Sequence, residues 1–259
     1  MPEFYHSPSP TQGGSPHVFI ATPCMGAPTG AHMASIVRAM PLLMGAGVAV
    51  DHFLLMNNCH VDDSRNMCVA RFLETKCDAL IFIDADVSFP PDALYRLVRH
   101  EGDVIAGVYP RKDYSVRSYP FKIREGMPIM TGPDGVIRQD VVGLPTGFMK
   151  IRRGVLERMA ELRVDRMFKA WGDDKGPHTP IIFERGYQKG ERLSGDYEFC
   201  RWASELGYTL ALDTTMTLAH SGEMKVTGNL ALDLAAAQAA FQDGRQEGDS
   251  QERKHINGE

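Results

Sequence analysis

The first 110 residues alternate short apolar runs with amphipathic segments, and this alternation restricts the fold more than any other feature. Four apolar runs predict strands, over residues 17–22, 48–56, 79–84 and 103–110. Strands that alternate with helices are typical of a parallel sheet covered by helices. In such sheets ligands bind at the carboxyl ends of the strands. We therefore expect an α/β fold with its site at that edge.

Helices are predicted between and after these strands. The three helices of the first part cover residues 30–47, 62–76 and 90–100. Pro41 marks a potential kink in the first, and a proline opens the third, where its missing N–H is tolerated. The second part predicts short strands at 209–213 and 215–220, a loop at 163–179, and helices within 144–162, 194–208 and 230–241.

These segments predict one folded domain over residues 17–241, with a first half at 17–110 and a second half at 111–241. Residues 1–16 are rich in proline, serine and glycine, and we expect them to be disordered, as we do the polar tail 242–259.

Composition restricts the function classes. The net charge of -5 argues against a chain-wide basic surface for nucleic acid, although it leaves room for a local patch. Five cysteines without a CxxC pattern favour reduced thiols over a disulfide framework or zinc knuckle. Because the N-terminus lacks an apolar core and no apolar run could span a bilayer, we expect a cytoplasmic protein without a membrane anchor.

The tripeptide Asp84-Ala85-Asp86 directly follows the third apolar run. In an extended segment, residues i and i+2 point the same way, so the two carboxylates would share one side. Hard oxygen ligands suit Mg²⁺ or Mn²⁺, and such a metal can hold a diphosphate as it leaves. The alternative is a cap that closes the turn ahead of Pro90.

In four ordered segments, the sequence resembles the GT-A class of nucleotide-sugar glycosyltransferases, in its family-2-like branch. The segments are residues 64–94, 103–112, 145–159 and 195–222. The resemblance implies a Rossmann-like, mostly parallel sheet flanked by helices, with a smaller acceptor-side part. The chain is most similar to phage-encoded members, some of which glycosylate hydroxymethylated pyrimidines in DNA.

The resemblance also implies a metal site for Mn²⁺ or Mg²⁺. Asp86 matches the family's metal ligand, and Asp84 matches the residue that contacts ribose or metal-bound water. His220 matches a histidine that closes the metal site late in the chain; the alternative is a structural histidine.

Donor and acceptor residues follow from the same match. Thr22 and Pro23 lie where related enzymes hold the nucleobase, and Arg65 faces the nucleotide or its diphosphate; the alternative for Arg65 is a solvated helix residue. Gly147 and Phe148 match a turn that lines the acceptor and sugar pocket, and glycine there permits a close backbone approach. The alternative is a tight loop.

The catalytic base is assigned to Asp196. Family-2-like inverting enzymes carry an acidic pair where this chain has Gly195-Asp196, so only the second carboxylate is present. Asp196 would take a proton from the acceptor hydroxyl. Glu198 is the second choice for the base, and the alternative reading of Asp196 is a first-turn residue favoured by the helix dipole. Because Gly195 stands where the family has its first acidic residue, the inverting stereochemistry depends on the assignment of Asp196 as the base.

One stretch, residues 109–124, bears on the acceptor. Its cations alternate with aromatic residues, and we assign Lys112 to acceptor binding. The set comprises Arg111, Lys112, Arg117, Lys122, Arg124, Tyr109, Tyr114, Tyr119 and Phe121. Such a stretch suits a nucleic-acid strand with stacked bases, a diphosphate or an anionic glycan. The alternative is a solvated hairpin.

The sequence therefore predicts a metal-dependent, inverting glycosyltransferase that uses a nucleotide-sugar, a UDP-sugar in the first instance, with 5-hydroxymethylpyrimidine in DNA as the preferred acceptor. Glycan, lipid or protein acceptors are the alternative. A metal-dependent nucleotidyltransferase is a reading from another class, although residues 21–30 lack the GxGxxG pattern of a phosphate loop. A non-catalytic nucleotide-sugar-binding module is the third reading.

Overall fold

The structure is a computed structural model that describes residues 3–6, 16–113, 115–169, 178–188, 190–222 and 225–241. Its strands are β1 (Glu3–His6), β2 (His17–Pro23), β3 (Ala49–Leu55), β4 (Ala79–Ile83), β5 (Val87–Ser88), β6 (Val104–Gly107), β7 (Lys122–Ile123), β8 (Val136–Ile137), β9 (Val141–Gly143), β10 (Phe148–Arg152), β11 (Met167–Lys169), β12 (His178–Pro180), β13 (Gly186–Gln188), β14 (Glu191–Leu193), β15 (Leu210–Asp213), β16 (Leu218–Ser221) and β17 (Lys225–Gly228). Its helices are α1 (Gly30–Gly45), α2 (Val61–Leu73), α3 (Pro91–Arg99), α4 (Arg153–Glu161), α5 (Gly195–Glu205) and α6 (230–241).

The central sheet contains eight strands within these described residues, in the order β1-β3-β2-β4-β10-β6-β15-β8. Five of them, β3, β2, β4, β6 and β15, run in one direction. Strand β10 runs antiparallel between β4 and β6, and β1 and β8 are antiparallel edge strands. The predicted mostly parallel, Rossmann-like α/β sheet is thus confirmed, and the four strands predicted in the first 110 residues all belong to it.

Helices cover both faces of the sheet. Along β2, Val18 and Ile20 pack toward α1 and α3, whereas Phe19 packs toward α2, which lies on the same face as α4 and α5. This alternation follows from the two-residue period of a strand. Because both faces are covered, β2 and β4 are apolar along nearly their whole length, as buried parallel strands are.

The helix boundaries follow local capping. Thr29 caps α1 by accepting a hydrogen bond from the backbone N–H of His32, and α1 continues through Pro41 to Gly45. Helix α2 ends at Leu73 rather than at 76, because Thr75 donates its hydroxyl to the carbonyl of Phe72, at 2.7 Å, and closes the last turn. Helix α3 begins at a proline, as predicted.

Two segments differ from the sequence prediction. Disorder was expected over 1–16, yet Glu3–His6 form β1 and pair with β3, which would otherwise present an unpaired edge. The predicted loop 163–179 contains β11 and the first residues of β12, which pair with each other; residues 170–177 lie outside the described residues. The tail 242–259, for which disorder was predicted, also lies outside the described residues.

Smaller sheets form the rest of the second half. The one that matters for the site is three-stranded, in the order β17-β16-β5.

The five cysteines are free thiols, as expected. Across the described ranges, none of the helices is long and apolar enough to cross a membrane.

Candidate active site

The Asp84-Ala85-Asp86 segment forms the turn between β4 and β5, at the carboxyl end of a parallel strand. The backbone N–H of Val87 donates to the carbonyl of Asp84 at 2.9 Å, and that of Thr29 donates to Ala85 at 2.9 Å. The segment is a turn and not extended, so the expectation that both carboxylates share one side does not apply. Each of the two has its own set of partners.

The small sheet brings His220 to Asp86. Strand β16 pairs with β5 so that His220 lies opposite Val87, and the N–H of Ser221 donates to the Asp86 carbonyl at 2.8 Å. The His220 Nε2 atom is 3.5 Å from Asp86 Oδ2. Its Nδ1 atom is 3.0 Å from the carbonyl of Pro110, and the Tyr109 ring packs edge-on against the imidazole. Two of the three residues predicted for the metal site, Asp86 and His220, are therefore neighbours.

Lys112 contacts the same carboxylate, with Nζ 2.5 Å from Asp86 Oδ2. Burial works to raise the pKa of Asp86, but the hydrogen bonds from His220 and Lys112 outweigh it and lower that pKa to about 2. Carboxylate oxygen and imidazole nitrogen are ligands for divalent metals, and the ammonium shows that a cation is stabilised at this carboxylate. Asp86 and His220 could supply two ligands to a divalent ion if Lys112 moved away from the carboxylate.

Asp84 faces a different group. Its Oδ1 atom is 3.6 Å from Arg65 Nη2, and its backbone N–H donates to the carbonyl of Gly147 at 3.0 Å. A Cβ atom added at Gly147 would collide with the Asp84 carboxylate and the Tyr109 hydroxyl. Burial raises the pKa of Asp84, against the opposing effect of Arg65. Gly147 is therefore required for the close approach of β10 to the carboxylate.

Arg65 links three elements. It lies on α2, is 4% exposed, and forms ion pairs with Asp196 through Nη1 and with Asp84 through Nη2. Burial acts to lower the pKa of Arg65, but Asp196 and Asp84 raise it above the ordinary value. The alternative reading of Arg65 as a solvated helix residue is therefore wrong. Its charged guanidinium joins α2, the β4–β5 turn and α5.

Asp196 lies in the first turn of α5, two residues after the cap residue Ser194, whose hydroxyl accepts from the N–H of Tyr197 at 3.4 Å. Its Oδ1 atom accepts from Arg65, and its Oδ2 atom accepts from the backbone N–H of Thr146 at 3.3 Å. The side chain remains 21% exposed. The carboxylate is thus fixed on two sides yet open to solvent.

Asp196, Lys112 and His220 line a cleft of about 540 Å³, a size typical of ligand pockets, whereas Asp84, Asp86 and Arg65 are not among its lining residues. It is lined by Tyr109, Arg111, Lys112, Asp113, Pro120, Pro145, Ser194, Asp196, Tyr197 and His220. Glu198, the second choice for the base, is not among these lining residues. Its carboxylate pairs with Arg201 at 2.5 Å and lies against Gly186.

The sequence prediction missed Asp62. A Cβ atom at Gly195 would collide with the Asp62 carboxylate, so glycine stands at 195 because Asp62 fills that space. Burial raises the pKa of Asp62, while Arg65 and Arg185 act to lower it; Arg185 Nε lies 3.4 Å from Asp62 Oδ2. The available signal was the spacing: Asp62 precedes Arg65 by three residues and so shares its face of α2.

Three further predicted site residues are buried and are not among the residues that line the cleft. The Thr22 side chain is fully buried, with its hydroxyl 3.1 Å from His52 Nε2 and 3.5 Å from His32 Nε2. Phe148 is fully buried too, and its ring packs on Phe89 at 5.1 Å. Pro23 ends β2 and is also buried. Phe148 is the first residue of β10, and its ring belongs to the core cluster that contains Phe89.

The 109–124 stretch does not form the expected surface of free cations and stacking rings. Arg117 pairs with Asp233 at 2.9 Å, and Arg124 pairs with Asp140 at 3.0 Å. Tyr119 and Phe121 are partly buried against the core, and Tyr114 lies outside the described residues. Of the stretch's cations, Arg111 and Lys112 line the cleft in the described part of the chain.

Comparison with known proteins gives little. No protein-family model matches the chain, and no curated protein matches it. Among solved structures, it is similar to the inositol-1-phosphate CTP transferase from T. maritima, with 11% sequence identity over 78% of this chain and 86% of that chain and a TM-score of 0.36. A likeness at this level carries no argument about function.

Proposed function

We propose that this chain is a metal-dependent, inverting glycosyltransferase of the GT-A kind, which transfers a sugar from a nucleotide-sugar, first of all a UDP-sugar, to a hydroxyl acceptor. One observation carries the proposal. His220, which contacts the predicted metal ligand Asp86, and the fixed carboxylate of Asp196 line the same cleft. A cation site and a base are the two parts that the reaction needs.

The donor end is formed around Asp86. Asp86 and His220 would hold Mn²⁺ or Mg²⁺, which neutralises charge on the departing diphosphate. When the donor binds, Lys112 leaves Asp86 and its ammonium contacts the diphosphate oxygens, together with Arg111. Arg65 stays buried between Asp84 and Asp196 and keeps the two halves of the site in register.

The acceptor end is formed around Asp196. Its carboxylate takes the proton from the acceptor hydroxyl while that oxygen bonds to the anomeric carbon. The bond between the anomeric carbon and the diphosphate oxygen breaks, and the nucleoside diphosphate leaves. This single displacement inverts the anomeric centre. Arg65 and the Thr146 N–H orient the carboxylate before the acceptor arrives.

Hydroxymethylpyrimidine in DNA remains the acceptor that we propose first, because the sequence resembles enzymes that act on it. The pairing of Arg117 and Arg124 with carboxylates limits the basic surface available to a strand. Glycan and protein hydroxyls are therefore included as acceptors in the test. Lipid acceptors are the remaining alternative.

A metal-dependent nucleotidyltransferase is the second candidate. The observation that favours it is the pair of exposed cations, Arg111 and Lys112, that line the cleft and would also hold a sugar phosphate as the attacking group. That reaction releases pyrophosphate from a nucleoside triphosphate, whereas sugar transfer releases a nucleoside diphosphate. The leaving group therefore separates the two functions.

The experiment uses the purified chain with Mn²⁺ and two substrate sets. The first combines UDP- and GDP-sugars with DNA that contains 5-hydroxymethylcytosine or 5-hydroxymethyluracil, with glycans, or with a protein mixture. The second combines nucleoside triphosphates with sugar phosphates. A hexose-sized mass gain on an acceptor, with release of nucleoside diphosphate, supports the first function. Release of pyrophosphate supports the second, and donor binding without either product supports a non-catalytic binding module.

A further inference from the structure

Three side chains with metal-binding atoms meet at the opposite end of the central sheet. His17 is the first residue of β2, Asp51 lies near the start of β3, and Cys77 lies two residues before β4. These are the amino ends of parallel strands, whereas the proposed catalytic cleft lies at the carboxyl end of β4. The cluster is therefore separate from that cleft.

The distances in the cluster match those of a coordination shell. His17 Nε2 is 3.3 Å from Asp51 Oδ1, and the Cys77 thiol is 3.3 Å from Asp51 Oδ2. One ligand atom from each residue lies within 4.8 Å of the other two. Bonds of about 2.0 to 2.3 Å around a tetrahedral zinc ion separate its ligand atoms by roughly 3.3 to 3.8 Å. His17 and Cys77 contact different oxygens of Asp51, so side-chain rotations are required to bring one atom of each residue to these positions.

The donor set selects the class of metal. An imidazole nitrogen, a thiolate and a carboxylate suit zinc and similar transition metals, and the sulfur argues against magnesium or calcium, which prefer oxygen. The charges balance as well: one thiolate and one carboxylate neutralise a divalent ion. This matters because Asp51 is 1% exposed and Cys77 is fully buried, and an uncompensated charge at such a depth is costly.

Backbone contacts hold two of the three residues in place. The N–H of His17 donates to the Asp78 carboxylate at 2.7 Å, and Arg153 donates to the carbonyl of Cys77 at 2.6 Å. The His17 side chain is 16% exposed, so the cluster has an opening on that side. A water molecule entering there would complete a four-coordinate shell.

We propose that His17, Asp51 and Cys77 form a second metal site, for zinc or a related transition metal, at the amino edge of the sheet. When the ion binds, the Cys77 thiol loses its proton to solvent, and a metal–sulfur bond replaces its hydrogen bond to Asp51. The ion links β2, β3 and the start of β4. The site does not depend on the proposed glycosyltransferase activity.

The test uses the full chain, stripped with a chelator and kept reduced with a phosphine. Co²⁺ is added stepwise while the near-ultraviolet absorption that marks a thiolate–cobalt bond is recorded, and Zn²⁺ is then added as a competitor. Bound zinc is counted by mass spectrometry of the metal. We expect the absorption to saturate near one Co²⁺ per chain and to be removed by Zn²⁺.

Four variants decide the assignment. Cys77→Ser should abolish the cobalt–thiolate absorption, and His17→Gln, at a partly exposed position, should weaken Co²⁺ binding at least tenfold while the chain stays folded. Cys59→Ser removes the exposed cysteine and Asp86→Ala alters the proposed donor site; both should leave the absorption unchanged. Absence of the absorption in the wild type, or its loss in Cys59→Ser, would overturn the proposal and leave the cluster as a hydrogen-bonded polar group.

Discussion

The ammonium of Lys112 lies 2.5 Å from the Asp86 carboxylate, at the side that also faces His220. A metal ion bound by Asp86 and His220 would occupy the same space. In the proposed function, lysine and metal would compete for one carboxylate, and the lysine would have to move before the metal bound.

Replacing Lys112 by methionine should increase metal affinity in the absence of donor. Removing the competing ammonium should raise it by roughly two- to fivefold, because an ion pair of this exposure stabilises by less than about 1 kcal/mol. Calorimetric titration with Mn²⁺ measures the change. Lys122→Met, in the same stretch but over the Tyr197 ring, is the control and should leave the affinity unchanged. Weaker Mn²⁺ binding in Lys112→Met would contradict the competition.

Replacing Asp196 by asparagine should stop transfer without preventing donor binding. Loss of a general base lowers the rate by roughly 100- to 10,000-fold. The rate of nucleoside diphosphate release, together with donor binding by fluorescence, provides the measurement. Glu198→Gln is the matched control, since Glu198 lies in the same first turn but pairs with Arg201. Equal rates in Asp196→Asn and wild type would exclude Asp196 as the base.

Replacing Arg65 by methionine should destabilise the fold by about 3 kcal/mol, because two carboxylates lose the buried counter-charge between them. Urea unfolding followed by circular dichroism measures the free energy. Arg71→Met lies on the same helix but removes an exposed pair with Glu74, and it should cost less than about 1 kcal/mol. Similar losses of unfolding free energy in both variants would show that the ion pairs of Arg65 stabilise the fold no more than the exposed Arg71–Glu74 pair does.

Replacing Gly147 by alanine should weaken donor binding. The new methyl group would press on the Asp84 carboxylate and the Tyr109 hydroxyl and would displace the β4–β5 turn that carries Asp86. Gly154→Ala is the control, because a Cβ atom there meets no other atom within 4 Å. Donor titration and thermal unfolding are compared for the two. Unchanged donor affinity in Gly147→Ala would show that donor binding does not require glycine at position 147.

His52 should make stability depend on pH. Burial, with a smaller effect of His32, lowers the pKa of His52 from 6.5 to about 4. Between pH 6.5 and about 4, His52 therefore takes up a proton in the unfolded chain but not in the folded chain. Its contribution to the free energy of unfolding is complete above pH 6.5 and is lost as the pH falls to about 4. It amounts to about 3 kcal/mol.

Urea unfolding at several pH values measures this contribution. His52→Gln should flatten the dependence of the free energy of unfolding between pH 6.5 and 4, and His60→Gln, at an exposed position, should retain the wild-type slope. If the free energy of unfolding of His52→Gln kept the wild-type dependence on pH, a group other than His52 would have to cause that dependence.

Local signals predicted most of the sheet. The four apolar runs became β2, β3, β4 and β6 because each buries both faces, and burial on both faces leaves a continuous apolar run. The antiparallel position of β10 between β4 and β6 was not predictable, because sheet order depends on distant packing. Strand β1 was missed for a related reason: β3 supplies the edge that orders Glu3–His6.

The site was predictable in part. Asp86, His220 and Asp196 were named from the resemblance, and the fold brings the first two into contact and the third to the cleft that His220 lines. Asp62 was missed, because its place beside Gly195 depends on how α2 packs against α5. Lys112 was assigned to the acceptor, yet its nearest charge is Asp86. Side-chain partners across elements do not follow from sequence spacing.

The pairing of β5 with β16 has a consequence for the order of folding. Asp86 belongs to the first half of the chain and His220 to the second, and the backbone bond from Ser221 to Asp86 closes the long loop between them. The entropy of closing such a loop has to be lost before the contact can form, so we expect it to form after local contacts. Metal capture during refolding would thus report the completion of the native topology, and a nascent polypeptide could hold its donor only after β16 had been made and docked.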